Sequence, residues 1–459
     1  MYKIDFKNPI HVYFIGIGGI SMSGLAEILL SEGFTVSGSD RQKSHLTETL
    51  SSKGALIYYG QKKENLANHP DLIVYTSAIK NDNPEFVAGK ELGIPFLSRA
   101  QLLGQMMKNY KIPIAVSGTH GKTTTTSMLS QILLEADTDP TLSIGGIYRT
   151  IGSNIRVGGS DYFVTEACEY TNSFLSFFPK IGIILNIEED HLDFFKDIDD
   201  IRNSFHEFAK LLPSDGALII NGDISNVAEI TDSLSCQVIT YGSDSASNYY
   251  PCDITYDELG HPSFTLIGAD GSKASYTLSV PGIYNVYNAV AAIATARFLK
   301  IDDNIIRKAL HDFNGTDRRF EFKGKVNGIS IIDDYAHHPT EITATLNAAT
   351  NYPHKTIWCV FQPHTYTRTK AFLHEFAKAL TLSDKIILAD IYAAREKDTL
   401  GISSVTLQEE IRNLGHECYY FPSFEEIEKF ILENCTNGDL LITMGAGDIV
   451  KIGENLLKK

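Results

Sequence analysis

Cationic residues are scarce in this chain. Forty Lys and Arg stand against 56 Asp and Glu, a formal net charge of −16 over 459 residues. That sign argues against general nucleic-acid or anionic-membrane binding. It leaves anionic substrates open, because local Lys, Arg and helix N-termini override the global sign. Cysteine is scarce too. The six (Cys168, Cys236, Cys252, Cys359, Cys418, Cys435) are scattered and form no C-x-x-C pair, which suits a reducing compartment without a disulfide framework or structural zinc. No apolar run reaches the ~18 residues of a membrane span. The opening Met1-Tyr2-Lys3-Ile4-Asp5 lacks the apolar core of a signal peptide. The expectation is a cytoplasmic protein. Internal repeats and low-complexity linkers are also missing. The remainder is ordinary globular material, 43% hydrophobic and 21% charged, and its length predicts about three domains.

The most informative string present is Val116-Ser117-Gly118-Thr119-His120-Gly121-Lys122-Thr123-Thr124-Thr125-Thr126. It follows the apolar run Ile112 to Val116 and precedes apolar residues at helical spacing (Met128, Leu129, Ile132, Leu133). This is the strand–loop–helix setting of a phosphate-binding loop. Glycines let amides close on phosphate oxygens; Lys122 would reach the β- and γ-phosphates and Thr123 would bind Mg²⁺. Val116 stands where the usual pattern has its first glycine, and Gly118 supplies one two positions later. The alternative, a Gly/Thr-rich turn capping a helix, gives no reason for four consecutive Thr, which are mediocre helix formers.

A second glycine turn lies near the start. Val12 to Ile15 reads as a strand, Gly16-Ile17-Gly18-Gly19-Ile20-Ser21 as the turn, Leu25 to Leu30 as a helix, and Phe34 to Val36 as a strand ending at Gly38-Ser39-Asp40. A βαβ opening with an acid roughly 20 residues on suits a dinucleotide fold. Ser21 fills the slot of the third glycine, so the string points to a pyrophosphate-bearing ligand at a helix N-terminus more than to NAD. Strands follow at Leu72 to Tyr75 and just before Leu97-Ser98-Arg99-Ala100. In the middle section Tyr162 to Thr165 and Ile181 to Leu185 read as buried parallel strands. Their carboxyl ends present Glu166 and Asn186-Ile187-Glu188-Glu189-Asp190-His191, where ligands of open α/β sheets sit. Residues 235–278 read as an antiparallel appendage, and Pro281 to Asn288 as a cap on the helix Ala289 to Ala296. Strands recur at Ile329 to Ile332, Thr356 to Val360, Lys385 to Leu388 and Leu440 to Ile442, a further doubly wound unit.

Three polar strings accompany that last unit. Gly315-Thr316-Asp317-Arg318-Arg319-Phe320-Glu321 carries two Arg that could be a solvated pair or could reach a phosphoryl group. Asp333-Asp334-Tyr335-Ala336-His337-His338-Pro339 and Phe361-Gln362-Pro363-His364-Thr365-Tyr366-Thr367-Arg368-Thr369 both follow strands, the place of function more than packing.

Together, in order and spacing over nearly the whole chain, these strings resemble the Mur ligase family, the amide ligases of bacterial cell-wall synthesis. Met444-Gly445-Ala446-Gly447-Asp448 belongs to the same resemblance. His120 in the loop and the doublet His337-His338 point to the alanine-adding branch. Ser21, Tyr284 before Asn285, Thr365 after His364, and the stretch Glu166 to Ser173 depart from the family's pattern.

The resemblance implies three α/β domains: a Rossmann-like UDP-sugar domain (1–108), a P-loop ATPase-like central domain (109–314) and a Rossmann-like lid (315–459). It implies ATP- and Mg²⁺-dependent joining of L-alanine to the lactyl carboxylate of UDP-N-acetylmuramate through an acyl phosphate, in peptidoglycan precursor synthesis. ATP would lie on Gly118, Thr119, His120, Gly121, Lys122, Thr123 and Thr124, with Asn288 and Asp334 at the adenosine. Thr123, Glu166 and His191 would hold Mg²⁺, and Arg318 or Arg319 would neutralise phosphoryl charge. Gly16, Gly18, Gly19, Ile20, Ser21, Ser39, Asp40 and Ser77 would hold the UDP-sugar; Tyr335, His337, His364 and Arg368 would line the alanine pocket. A monomer or weak homodimer is expected, without nucleic acid or membrane partners. The rival expectations are a murein-recycling ligase that attaches a tripeptide to the same nucleotide sugar, an NAD(P)-dependent oxidoreductase, and a non-catalytic nucleotide-binding regulator.

Overall fold

The structure is a computed structural model that describes residues 2–76, 78–394 and 396–458. Ser77, expected at the sugar nucleotide, lies outside the described residues. Three sheets organise the chain, a three-domain α/β architecture. Packing divides it into two compact units: 1–126, 136–188 and 199–239 in the first; 127–135, 189–198 and 240–459 in the second.

The first unit opens with a five-stranded parallel sheet. Its spatial order is Leu56–Tyr59, Thr35–Asp40, His11–Ile15, Leu72–Tyr75, Phe96–Ser98. His11–Ile15 is the strand at which the order reverses, so the crevice at its carboxyl end is the binding position of such a sheet. Gly16 follows with φ +84°, and a Cβ there would sit 2.8 Å from Thr76 Cγ2. The helix after the turn runs Ile20–Ser31. It starts five residues earlier than expected, which places Ile20 and Ser21 in its first turn. Leu97 and Ser98 lie inside the strand Phe96–Ser98, and Arg99 opens helix Arg99–Met107.

The unit's second sheet centres on Ile112–Ser117. Tyr162–Glu166 and Ile181–Ile184 pair parallel to it on either side, as the sequence predicts. Beyond them lie Ala217–Asn221 and Thr141–Tyr148, the latter turning into the antiparallel strand Ser153–Arg156. That hairpin is not expected from sequence: its glycines (Gly145, Gly146) and half-buried alternation give a weak strand signal.

The two sheets are joined by close contacts at glycine. Gly24 meets Ile155, and a Cβ on Gly104 would fall 1.9 Å from Ser176 O. The helix carrying Arg99 therefore lies against the segment Tyr170–Ser176.

In the second unit, Tyr249–Tyr256, Pro262–Gly268 and Lys273–Thr277 form the expected antiparallel appendage. The following helix is Ile283–Phe298, with Gly282 before it at φ +96°. Asn285 and Asn288 are thus helical rather than part of a cap. The third sheet runs Glu321–Val326, Ile329–Asp334, Leu440–Met444, Ile357–Phe361, Lys385–Leu388, Cys418–Tyr420, parallel except for its first strand. Successive residues serve opposite faces: Ile332, Cys359 and Ile442 face one core, Ile331, Val360 and Leu441 the other. Burial on both faces is why these strands read as continuous apolar runs. The two edge strands, Glu321–Val326 and Cys418–Tyr420, lack such runs and escape a reading of the sequence.

Because Gly104 has no space for a side chain, Gly104→Ala is expected to cost about 1–3 kcal/mol through overpacking. An unchanged midpoint in urea unfolding would contradict the contact.

Candidate active site

The glycine loop at the carboxyl end of Ile112–Ser117 is built by its neighbours. Gly118 has φ +139°, and a Cβ there would meet Leu185 Cβ at 2.9 Å and Asn186 N at 3.2 Å. The Asn186 side chain grips His120 twice, accepting from its amide (2.7 Å) and donating to its carbonyl (3.1 Å). Thr119 Oγ1 accepts from the Glu188 amide at 2.9 Å. Asn186 and Glu188, in the polar string at the end of their strand, therefore support the loop. Gly121 (φ +82°) leads into helix Lys122–Glu135, whose first turn is closed by the Thr125 amide on the Gly121 carbonyl, 2.9 Å.

Lys122 folds over the loop. Its Nζ donates to the carbonyl oxygens of Gly118 and Thr119 (2.9 Å for Thr119) and reaches Glu169 Oε2 at 3.1 Å. Burial works against the ammonium, but the Glu169 and Glu166 carboxylates outweigh it and raise the lysine's pKa. Glu169, 2% exposed, is not singled out by the sequence. Nothing in the string Glu166-Ala167-Cys168-Glu169 reveals which acid faces the lysine. Glu166 ends its strand beside Val116, and its carboxylate accepts the Gly145 amide. Gly145 leaves the carboxylate this position, since a Cβ would lie 2.5 Å from Oε2 and displace it. Thr123 is buried at the start of the helix, with Thr124 half-buried beside it. The structure thus brings Lys122, Thr123 and Glu166 into one unit as expected.

At the first turn, Gly18 donates to Asp40 Oδ2 at 2.8 Å. The amides of Gly16 and Ile17 donate to the Ser39 carbonyl at 2.9 and 3.0 Å. Ser39's hydroxyl is fully buried and donates to Glu85 Oε2 at 2.5 Å. Its part in the turn is played by its backbone carbonyl. Glu85 also accepts from Tyr13 Oη (2.8 Å) and Asn65 Nδ2 (2.6 Å), and burial with that neighbouring carboxylate pushes the Tyr13 phenol up. Ile20 is exposed, and Gly19 precedes its helix.

The second unit gathers a separate constellation. Arg368, on helix Tyr366–Ala371, donates through Nη2 and Nε to Asp190 Oδ1 at 2.9 and 3.2 Å. Its Nη1 lies 3.1 Å from His364 Nδ1. A guanidinium only donates, so His364 Nδ1 accepts and the ring keeps its proton on Nε2. Burial, with the charges of His337 and Arg368, lowers the His364 pKa to about 4. Its ring stacks on Tyr392 at 5.8 Å and meets His337 edge-on at 5.6 Å. His337 Nδ1 faces the Tyr335 carbonyl and Glu341, both at 3.1 Å. Burial opposes the Asp190 charge, but Arg368, His191 and His337 overcome it and hold its carboxyl far below the usual range. His191 Nε2 lies 3.7 Å from Asp190 Oδ2, at a backbone φ of +55°. His191, grouped with Thr123 and Glu166 on sequence grounds, belongs to this second unit. Asp190 is the partner that the sequence does not single out, although it stands in the same polar string. Thr365 has φ +65°, an outlier for a β-branched residue of the kind concentrated at functional sites.

The two adjacent arginines separate by role. Arg318 is fully used: Nε on Asp333 Oδ2 (2.9 Å), Nη1 on the Gly447 carbonyl (3.0 Å), Nη2 on the Gly445 carbonyl (2.7 Å). Arg319 makes no side-chain hydrogen bond among the described residues. It lies over the Tyr335 ring at 5.0 Å, and its charge acts on Asp334 and Tyr284. Asp334 accepts the amides of Phe320 (2.9 Å) and Ala336 (2.8 Å), and burial raises its pKa to about 6. Asn288 is buried and donates to Asn285 Oδ1 at 3.2 Å. His338 caps helix Pro339–Ala349 by accepting the Thr340 amide on Nδ1 (3.3 Å), with Nε2 directed at the Glu189 carbonyl (3.1 Å).

Three family models match the chain in order: Mur ligase family, catalytic domain, over residues 11–111; Mur ligase middle domain over 116–296; and Mur ligase, glutamate ligase domain, over 318–447. A UDP-N-acetylmuramate–L-alanine ligase of Lachnospira eligens is 62% identical over 100% of both chains. Among solved structures, UDP-N-acetylmuramate-alanine ligase of Thermotoga maritima matches with TM-score 0.82 at 28% identity, covering 98% of each chain. A murein peptide ligase of Psychrobacter arcticus matches with TM-score 0.72 at 28% identity and the same coverage.

The Asp190–Arg368 pair is enclosed on both sides (side chains 9% and 11% exposed). Arg368→Ala leaves a buried carboxylate and is expected to cost about 3–5 kcal/mol at neutral pH. Asp190's depressed pKa stabilises the wild type above the ordinary carboxylate range, and this contribution is lost as pH falls through the folded value. The gap between wild type and variant should therefore narrow in acid. Urea titrations at neutral and acid pH measure it, and equal midpoints at neutral pH would contradict the pairing.

Proposed function

The chain belongs to the Mur ligase family, and on that premise we propose that it joins L-alanine to the lactyl carboxylate of UDP-N-acetylmuramate, converting ATP to ADP and phosphate. The observation that carries the reading within the family is the 62% identity, over the full length of both chains, to a ligase of that name. Domain boundaries at 1–108, 109–314 and 315–459 accompany it, as does a cytoplasmic location. Among the described residues no helix is long and apolar enough to cross a membrane.

The chemistry assigns work to the residues. A carboxylate is a poor electrophile with a poor leaving group. One lactyl oxygen takes the γ-phosphoryl and ADP departs. The alanine nitrogen, having lost its ammonium proton, then attacks the acyl carbon. The tetrahedral adduct expels phosphate, breaking the bond between carbon and the oxygen that carried the phosphoryl group. What the protein contributes is positioning and charge neutralisation. The amides of Gly121 and Lys122, with the Lys122 ammonium, serve the β- and γ-phosphates, while those of Thr119 and His120 are held by Asn186. Lys122 would exchange loop carbonyls for phosphate oxygens while Glu169 keeps it charged.

Mg²⁺ takes hard oxygen donors. Thr123 and Glu166 offer them, and Gly145 leaves the Glu166 carboxylate its space. Bound there, the ion would supply charge neutralisation for the phosphates. Arg319, whose guanidinium is not committed as that of Arg318 is, serves the transferred phosphoryl group. Arg318 instead fixes the shape of its own turn. His364 is neutral at physiological pH and presents an Nε2–H donor, and Arg368 offers the charge for an amino-acid carboxylate. Asp190 sets the orientation of that arginine.

Two measurements test the reading. Amide formation with L-alanine should exceed that with a murein tripeptide; preference for the tripeptide would keep the family and replace the function. Lys122→Ala should abolish turnover while UDP-sugar affinity, by calorimetry, stays near the wild-type value. Substantial residual turnover would refute the ATP assignment.

A further inference from the structure

At the carboxyl end of the first sheet a cation stands without an acid among the described residues. Arg99 is the first residue of helix Arg99–Met107, directly after strand Phe96–Ser98. Ser98 caps that helix in a reciprocal box with Gln101, so the start of the helix is fixed. Gly104, pressed against Ser176 O, fixes its face. The side chain then has a defined course: its Nη1 donates to Ser21 Oγ at 3.0 Å. Ser21 sits in the first turn of helix Ile20–Ser31, beside the turn Gly16–Gly19, in the slot where a dinucleotide fingerprint has its third glycine.

Three cations of the same unit that are drawn into its interior or clefts have acids beside them: Arg156 has Asp139, Arg202 has Glu229 and Lys122 has Glu169. Burial disfavours the Arg99 charge, and the group whose field opposes this is the Cys168 thiol. That thiol is no anion at neutral pH, because burial raises its pKa to about 11. A guanidinium does not shed its proton, so this half-buried one loses part of its solvation and gains no ion pair in return. Such a group is suited to an anion supplied from outside, and its planar fork matches phosphate.

We propose that Arg99, aimed by the Ser21 hydroxyl, binds the diphosphate of the sugar nucleotide at the first glycine turn. The N-terminus of helix Ile20–Ser31 receives one side of that group, while the amides of Gly16, Ile17 and Gly18 hold the turn itself, and the Arg99 fork takes the outer oxygens. The serine in place of glycine thereby gains a purpose, since its hydroxyl holds a long, flexible side chain in the rotamer that the ligand needs. The inference rests on the reading of the first unit as the sugar-nucleotide unit.

Calorimetric titration with UDP and UMP tests it, since UDP carries a diphosphate and UMP does not. Wild type should bind UDP more tightly than UMP. Arg99→Ala should weaken UDP binding about 10- to 100-fold, as lost hydrogen bonds to a charged group do, and leave UMP within about twofold. Arg99→Lys, which keeps the charge without the fork, should fall between and carries the test if the alanine variant folds poorly. In turnover, KM for the sugar nucleotide should rise by the same factor while kcat and KM for ATP hold. UDP affinity unchanged in both variants would overturn the proposal. So would unchanged UDP affinity with a collapsed kcat, which would assign the guanidinium to the lactyl carboxylate. A wild type that binds neither UDP nor the sugar nucleotide would overturn the underlying reading as well.

Discussion

The close approach of Gly118 to Leu185 and Asn186 is the constraint on which the candidate chemistry depends. No side chain fits between the loop and the end of the neighbouring strand, so the backbone lies flat there. Asn186 then holds His120 from both sides. A loop pinned in this way through the Thr119 and His120 amides presents those of Gly121 and Lys122 without needing to order them when a ligand arrives, the condition under which fixed dipoles act most strongly on phosphate. Lys122 is brought over the same loop, and its charge survives burial because Glu169 lies beside it. Removing Glu169 would leave an ammonium desolvated by its own loop. That acid is as much a part of the site as the lysine.

The second unit repeats the logic with a different pair. Arg368 and Asp190 neutralise each other in an enclosed setting, and the arginine's remaining edge sets the tautomer of His364. One guanidinium thus determines the direction of an imidazole proton, and His337, Tyr392 and Tyr335 surround the result with rings. Arg318 does comparable work in the backbone turn, tying Asp333 to the carbonyls of Gly445 and Gly447. Its neighbour Arg319 is left with its guanidinium uncommitted.

Much of this is legible in the sequence. The strand–glycine–helix strings reveal the loops, and runs buried on both faces reveal the parallel strands at Ile112, Ile181, Ile329 and Leu440. What escapes has physical reasons. Edge strands such as Glu321–Val326 are half-exposed and carry no clear period. Helix starts are misplaced because apolar spacing marks the middle of a helix better than its first turn, as at Ile20 and Ile283. Partners across the fold, Glu169 for Lys122 and Asp190 for Arg368, cannot be read from one-dimensional spacing, nor can the difference between Arg318 and Arg319. Ser39 reads as a ligand contact because it lies at the end of a strand. Which way its side chain turns depends on Glu85, 46 residues away in sequence.

If the ATP site around Lys122 activates a carboxylate as an acyl phosphate, an oxygen of that carboxylate must leave with the phosphate. Transfer of an isotopic label follows that oxygen. UDP-N-acetylmuramate labelled with ¹⁸O in its lactyl carboxylate is turned over with ATP and L-alanine, and the released phosphate is analysed by mass spectrometry. The expected result is one labelled oxygen in each phosphate released and the other retained in the amide. Phosphate released without label, alongside amide product, would contradict activation through an acyl phosphate.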